Sequence, residues 1–293
     1  MHILCHMNRL SQERRSQVLA ALVEGNSIRA TCRMTGVAKA TVLRLLEEVG
    51  EACIGFHDRW VRNINARAVQ ADEIWSFVHT KERHMEPERR GYERGDAWTW
   101  TAIDADTKLV ISWLVGSRSA ESCRTFMADL ADRLENRIQL TTDGLKWYRT
   151  VAEEVFGWGG CDFAQLEKQY MASETGRYSP PIVTGVKTRW VMGRPKTKDI
   201  STSYVERQNL TMRMHMRRFT RLTNGFSKKL ANHIYAVALH YVYYNFMRPR
   251  ATLTRQNKGV QTSPAMAAGL ADRVYKMSDL VRVIDSAKLA QAK

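Results

Sequence analysis

The sequence predicts an α/β domain that carries the chemistry, preceded by a small all-α module, and three stretches carry that expectation. Residues 69–156 alternate apolar strands with a helical segment, residues 13–49 read as three short helices around a glycine turn, and residues 200–271 form a basic tract. The chain has 293 residues, of which 44% are apolar, so it can bury a real core and is not a disordered basic tail. One larger domain plus a small module is the natural division of that length.

The amino-terminal stretch comes first. From Glu13 to Glu24 the apolar residues Val18, Leu19, Leu22 and Val23 recur at helical spacing and stop at Gly25. Ser27 then caps a short helix through Met34, Thr35-Gly-Val37 turns the chain, and a third helix runs from about Ala38 to Val49. A glycine-containing turn between the second and third helices is the helix-turn-helix pattern, in which the third enters the major groove of DNA. Lys39, Thr41 and Arg44 lie toward its exposed start, Val42, Leu45 and Leu46 face inward, and Arg29 and Arg33 are placed to hold the DNA backbone. A helical bundle used for dimerisation would have the same pattern. Residues 1–50 form this module; residues 51–68, with Trp60, Arg62 and Arg67, connect it onward without a Pro- or Gly-rich linker and read as a packed helix rather than a flexible tether.

The domain over residues 69–250 opens with Val69-Gln-Ala-Asp-Glu-Ile-Trp-Ser-Phe-Val78, whose β-branched and aromatic content favours a strand. Two further strands, Trp98 to Ile103 and Leu109 to Val115, flank a hairpin turn that contains Asp104 and Asp106, with Trp98 and Trp100 as core residues. The charged run Lys81 to Asp96 reads as a solvated loop. Ile138-Gln-Leu-Thr-Thr-Asp-Gly144 is a short strand stopped by Asp-Gly, and Leu145 to Phe156 is helical. The helix from about Leu230 to Met247 belongs to the core, and residues 251–293 form a carboxy-terminal tail.

Glu206 is the only acid between Ile200 and Ala271, among eleven Lys and Arg residues. A carboxylate inside a phosphate-attracting surface opposes binding unless a divalent cation joins the two, so Glu206 is a candidate metal ligand. Ser203-Tyr-Val-Glu206 has the form of a capping box, which places it at a helix start. Asp143 ends a strand of an α/β sheet, where such sheets bind ligands. Asp72 is the third candidate; it competes with Glu73, because strand alternation sends neighbours to opposite faces and leaves one of the two at the metals. Asn209, Arg213 and Arg217 extend a polar stripe along the Glu206 helix, next to Arg207. The basic stretch Lys187 to Lys198 reads as a loop that sets Trp190 among cations, suited to stacking on a base.

These strings resemble the Asp-Asp-Glu transposases of bacterial insertion sequences, with the insertion-sequence-one-like family as the nearest branch. The resemblance rests on Asp-Glu-Ile-Trp-Ser-Phe-Val, Thr-Asp-Gly, and above all Ser-Tyr-Val-Glu-Arg-Gln-Asn-Leu-Thr-Met-Arg followed by Arg221-Leu-Thr-Asn-Gly-Phe-Ser-Lys-Lys-Leu-Ala-Asn-His233. It implies a ribonuclease H-like fold, with Asp72 rather than Glu73 joining Asp143 and Glu206 as catalytic and metal-binding residues for two Mg2+ (or Mn2+) ions. It also implies an enzyme that binds terminal inverted repeats and performs metal-dependent DNA cleavage and strand transfer. A nuclease without strand transfer and a domesticated DNA-binding regulator are the alternatives. Tyr243-Tyr-Asn-Phe-Met-Arg-Pro-Arg250 and Thr262-Ser-Pro-Ala-Met-Ala-Ala-Gly-Leu270 resemble carboxy-terminal signatures of several transposase families, with Arg250 where a His is common. The 63 residues from Asp143 to Glu206 exceed the usual spacing and imply an insertion near 158–199.

A formal charge of +15 and a pI near 9.8 agree with a polyanionic partner, double-stranded DNA at element ends and target. Joining two ends calls for a homodimer or higher oligomer. The five cysteines include no Cys-x-x-Cys pair, which excludes a zinc ribbon or disulfide framework and fits a reducing cytoplasm, at the nucleoid. The apolar core of Met1 to Arg9 is too short for a secretory signal, and no membrane partner is expected.

Overall fold

The computed structural model describes residues 9–86, 93–171, 182–220 and 223–291. They fall into two compact units, neither continuous in sequence: a helical one built from residues 1–60, 76–96 and 211–293, and a sheet one built from residues 61–75 and 97–210.

In the helical unit, α1 (Gln12–Val23) begins at Ser11, whose Oγ accepts the Arg14 amide at 3.2 Å, and α2 (Ile28–Thr35) begins at Ser27, whose Oγ accepts the Ala30 amide at 3.1 Å. Gly36, at φ 67°, ends α2 in the left-handed region that favours glycine. The next helix, α3 (Lys39–Trp60), runs eleven residues past the expected stop at Val49, because Gly50, Cys53 and Phe56 keep its apolar face buried. Much of the expected connecting segment is therefore helix. Val42, Leu45 and Leu46 are buried, while Arg29, Arg33, Lys39 and Arg44 are exposed and Thr41 is half-buried.

Against α3 packs α7 (Leu230–Val242), so closely that a Cβ on Gly50 would stand 2.2 Å from that of Tyr235. A π-helical turn, Tyr243–Met247, continues α7. The presumed tail instead forms α8 (Ala251–Gln256), α9 (Pro264–Ala267) and α10 (Met277–Gln291). The last of these packs on α1 and α3, and the buried Arg15 spans both oxygens of Asp285 at 2.7 and 2.9 Å. His233 is buried and neutral: desolvation first, then Arg218, pushes its pKa down to about 3, and its two ring nitrogens meet the hydroxyls of Ser76 and Ser227 at 3.2 and 3.1 Å.

The sheet has six strands: β1 (Ala68–Val78), β2 (Gly95–Asp104), β3 (Val110–Gly116), β4 (Ile138–Thr142), β5 (Cys161–Met171) and β6 (Ile182–Met192), in the order β3-β2-β1-β4-β5-β6. The pairs β1–β4 and β4–β5 are parallel, whereas β2–β3 and β5–β6 are antiparallel. The hairpin turn is where the sequence puts it, closed by the Asp104 carboxylate on the Thr107 amide at 2.9 Å. Two helices, α4 (Ala120–Arg133) and α5 (Lys146–Gly160), pack together, with α4 also on β3. Trp100 meets Tyr148 edge-on at 5.5 Å and Phe126 at 5.9 Å, a fully buried aromatic cluster. Trp98 is only half-buried and lies 4.6 Å under the Arg118 guanidinium. This mixed sheet flanked by helices, with an amino-terminal helical module, is the architecture expected for a ribonuclease H-like α/β domain.

The insertion near 158–199 is the β5–β6 hairpin, whose residues 172–181 lie outside the described residues, as do 87–92 of the charged run. Lys187 to Met192, expected as a loop, is instead the end of β6, because cross-strand pairing with β5 satisfies its backbone.

Arg15 holds the folded pKa of Asp285 below its ordinary value, so the ion pair stabilises fully above about pH 4 and its contribution disappears as the pH falls through the folded pKa. Asp285→Asn should lower stability at pH 7 by about 1 kcal/mol after solvent screening of a partly exposed carboxylate. Urea melts at pH 7 and pH 3 check this: the difference between wild type and variant should shrink at the lower pH.

Candidate metal centre

The parallel register of β1 and β4 pairs Ala71 with Thr142, so Asp72 and Asp143 occupy the next step of the two chains. Asp143 lies just past the end of β4. Its Oδ1 accepts the Leu145 amide at 3.0 Å, the local turn that Asp-Gly encodes. Gly144 leaves room for the Glu167 side chain: a Cβ there would lie 2.7 Å from Glu167 Cγ and push that side chain aside. On β5, the buried Gln165 donates its amide to the carbonyls of Asp143 and Leu145 at 2.9 and 3.1 Å, pinning the turn from the neighbouring strand.

Glu73 enters the same place. One carboxylate oxygen from each of Asp72, Glu73 and Asp143 lies within 4.8 Å of the others. The expectation that alternation leaves only one of Asp72 and Glu73 at the metals is therefore corrected. Beyond Thr142, β4 no longer flanks β1, and the Asp143 carboxylate lies near those of both neighbours. Glu73 Oε1 accepts Arg118 Nε and Nη2 at 2.7 and 2.6 Å, and its Oε2 accepts the Tyr148 hydroxyl at 3.2 Å. Arg118 also stands 4.0 Å from Asp143.

Crowded, poorly hydrated carboxylates resist ionisation. Burial, then the charges of Glu73 and Asp143, pushes Asp72 up to about 8. Burial and Asp143 raise Glu73 to about 7, against the pull of Arg118. Asp143 is raised by burial, and the Tyr148 hydroxyl is held well above its usual range by burial and the adjacent acids.

Glu206 lies on α6 (Ser203–His215). The expected capping box does not form: Glu206 N donates to Thr202 O at 3.0 Å, which makes Thr202 the cap and moves Glu206 one position deeper. The orphan amides of Tyr204 and Val205 are accepted by Gln70 Oε1, at 2.8 and 3.2 Å, from a buried side chain two residues before Asp72. Glu206 Oε1 accepts the Thr202 hydroxyl at 2.7 Å and pairs with Lys168 of β5. It stands outside the tight cluster of three, yet near enough that its charge raises both Asp72 and Asp143.

The other expected contacts divide. Asn209 is buried and donates to Asp72 Oδ2 at 2.8 Å, so its side chain serves the carboxylate rather than solvent. Arg207 is exposed on the same helix, and Trp190 is 59% exposed on β6. Arg213 and Arg217 belong to the helical unit, as do the exposed Arg29, Arg33, Lys39 and Arg44 and the half-buried Thr41. Sequence reasoning set Glu73 aside and passed over Arg118, Tyr148, Lys168, Gln70 and Gln165. For Glu73 adjacency to Asp72 was a signal; the others carry none in a single sequence.

Three convergent carboxylates form an all-oxygen donor set, the kind that suits a hard divalent cation, and their mutual repulsion is what such an ion would relieve. The residues therefore fit a metal of the expected class.

No family model matches the chain. It is 27% identical over 164 residues to the insertion element iso-IS1n protein InsB of Shigella dysenteriae, a match covering 56% of this chain and 86% of that protein. Among solved structures it is similar to the Mos1 transposase paired-end complex with left transposon end, at a TM-score of 0.23 and 14% identity, over 54% of this chain. The match spans 60% of that Mos1 chain. Similarity to the Mos1 strand transfer complex is at a TM-score of 0.23 and 11% identity, over 80% of this chain and 76% of that one.

Two effects of opposite sign should follow from the crowded charge. Asp72→Asn keeps an acceptor for Asn209 and removes repulsion, so it should raise stability without metal by about 1 kcal/mol, the scale of one pKa unit. Millimolar Mg2+ should raise the melting temperature of wild type and not of the variant. Calorimetry with EDTA and with Mg2+ checks both.

Proposed function

We propose that this protein is a transposase that binds the terminal inverted repeats of an insertion element and catalyses DNA cleavage and strand transfer. The observation that carries the reading is the convergence of Asp72 and Asp143 from two parallel strands, with the Glu206 charge acting on both. The likeness to InsB, an insertion element protein, and the basic character of the chain point the same way.

Asp72, Glu73, Asp143 and Glu206 would hold two Mg2+ (or Mn2+) ions. Bound divalent ions supply Lewis-acid activation of an attacking oxygen and stabilisation of a leaving one. The protein's part is to place and orient. Asn209 fixes one oxygen of Asp72, Arg118 and Tyr148 hold Glu73, and Gln165 fixes the turn that carries Asp143. Gln70 anchors the first turn of α6 and so sets where Glu206 stands. In the first step water attacks the phosphorus at an element end and the 3′ oxygen leaves, taking a proton. In the second that 3′-hydroxyl attacks a target phosphorus and displaces the target's own 3′ oxygen. Neither step needs a covalent intermediate on the protein.

The amino-terminal helices supply end recognition in this reading, through Lys39, Thr41 and Arg44 in the major groove and Arg29 and Arg33 on the backbone. Arg207, Arg213, Arg217 and Trp190 contact DNA without reading its sequence. Assembly into a homodimer or larger oligomer brings two ends together.

Glu206→Gln should leave the fold intact and end binding equal or stronger, while Mg2+-dependent cleavage and joining fall by more than about a hundredfold, beyond the usual loss for an outer-shell partner of a metal. A variant that folds, binds ends and joins them at the wild-type rate would refute the assignment. End recognition is better tested by substitution than by deletion, since α1 and α3 pack on α10 and α7. Arg44→Ala should reduce discrimination between element ends and unrelated duplex by about 1–3 kcal/mol, read by competition binding at fixed salt.

A further inference from the structure

A second cluster of cationic groups lies in the helical unit, around the π-helical turn that ends α7. Such turns recur at functional sites. The turn belongs to the Tyr243–Arg250 string, which the metal centre does not use. His215 closes α6, His240 is buried on α7, and Arg248 and Arg250 follow the π turn. These groups feel one another: burial and then Arg248 and Arg250, against the pull of Glu24, lower the proton affinity of His215, and burial, His215 and then the two arginines lower that of His240. The Arg250 guanidinium stands 4.9 Å over the Tyr244 ring, whose other neighbour is the His240 ring, stacked at 6.4 Å.

Glu24 is the carboxylate at this place, and it is already engaged. Its Oε1 accepts the Tyr243 hydroxyl at 2.6 Å, and its Oε2 lies 3.8 Å from His215 Nδ1, beyond hydrogen-bond reach. The two guanidiniums and this one acid all act on His215. Arg248 Nη1 is buried and finds no hydrogen-bond partner among the described residues, and the same holds for His215 Nδ1. A buried guanidinium N–H without an acceptor is costly and points to an occupant. Water would satisfy the hydrogen bond and leave the excess charge; an oxyanion satisfies both.

We propose that Arg248, Arg250 and His215 form a binding site for a phosphoryl oxyanion, walled on one side by Tyr244. Arg248 Nη1 and His215 Nδ1–H donate to its oxygens, and Arg250 supplies the second positive charge. The oxyanion is either a phosphate of a DNA backbone or free phosphate. Metal-dependent strand transfer enters neither case, so the site stands or falls apart from the transposition reading.

The test uses the full-length protein. Inorganic phosphate is titrated against chloride of equal ionic strength, followed by thermal melting and by NMR of the His215 and His240 imidazoles. Phosphate at ten times its dissociation constant should raise the melting temperature by about 3 °C and shift the His215 resonances. Arg248→Gln and Arg250→Gln should each remove the response with circular dichroism unchanged; Arg248→Lys, which keeps the charge, should retain part of it and guards against misfolding of the first variant. The second arm measures binding of an unrelated short duplex against salt. If the site grips a backbone phosphate, Arg248→Gln lowers the slope of log affinity against log salt by about one. If it holds free phosphate, the slope stays and only the phosphate response is lost. No phosphate-specific response in wild type, together with an unchanged slope in Arg248→Gln, overturns the proposal.

Discussion

Bringing three carboxylates within 4.8 Å of one another is the constraint on which the sheet unit depends. Asp143 raises the proton affinity of both Asp72 and Glu73, and Glu73 raises that of Asp72, so the arrangement depends on neighbouring elements that oppose the repulsion. Arg118 and Tyr148 hold Glu73, Asn209 holds Asp72, and Lys168 pairs with Glu206. These partners come from β5, α5, α6 and the segment before α4, so most of the elements around the parallel strands have a polar stake in the acidic cluster. Such a cluster is compatible with divalent cations, whose charge would offset the repulsion.

Placement of the acids relies on a second device, a set of buried glutamines. Gln70 on β1, Gln139 on β4 and Gln165 on β5 sit on neighbouring strands and spend their amides on backbone groups elsewhere. Gln70 takes two amides of the α6 start, Gln139 exchanges a pair of bonds with Lys196 at 2.8 and 3.0 Å, and Gln165 takes two carbonyls of the Asp143 turn. Buried polar side chains are tolerable when every bond is made, and here they tie mobile kinds of structure, a turn, a helix end and a strand exit, to rigid strands. The Asp143 turn and the start of α6 thus take their positions from the sheet.

The helical unit solves a different problem. The amino-terminal helices alone would bury little surface, and α3 packs mainly on α7 and α10 rather than on its own module. The tight contact of Gly50 with Tyr235 and the Arg15 pair with Asp285 join segments from opposite ends of the chain. No helix among the described residues is long and apolar enough to cross a membrane. The exposed cations of α2 and α3 remain on the surface while the apolar positions between them are buried, which is the separation that a groove-reading helix requires.

The α/β alternation, the cap at Ser27, the turn at Gly36, the hairpin at Asp104, and the placing of Asp72 and Asp143 on or at the end of strands are legible from the residues alone. Those features are local: periodicity, a capping hydroxyl, an Asp-Gly stop. That Glu73 joins the cluster, that Asn209 turns inward to Asp72 across 137 residues, that Arg118 reaches Glu73 across 45, and that Gln70 accepts the first free amides of α6 where a Ser203 box was expected are outcomes of the tertiary fold. It also turned an expected loop into β6 and an expected tail into α10. In each of these the deciding partner lies far along the chain, where neither propensity nor spacing carries information, and burial with hydrogen-bond satisfaction makes the choice.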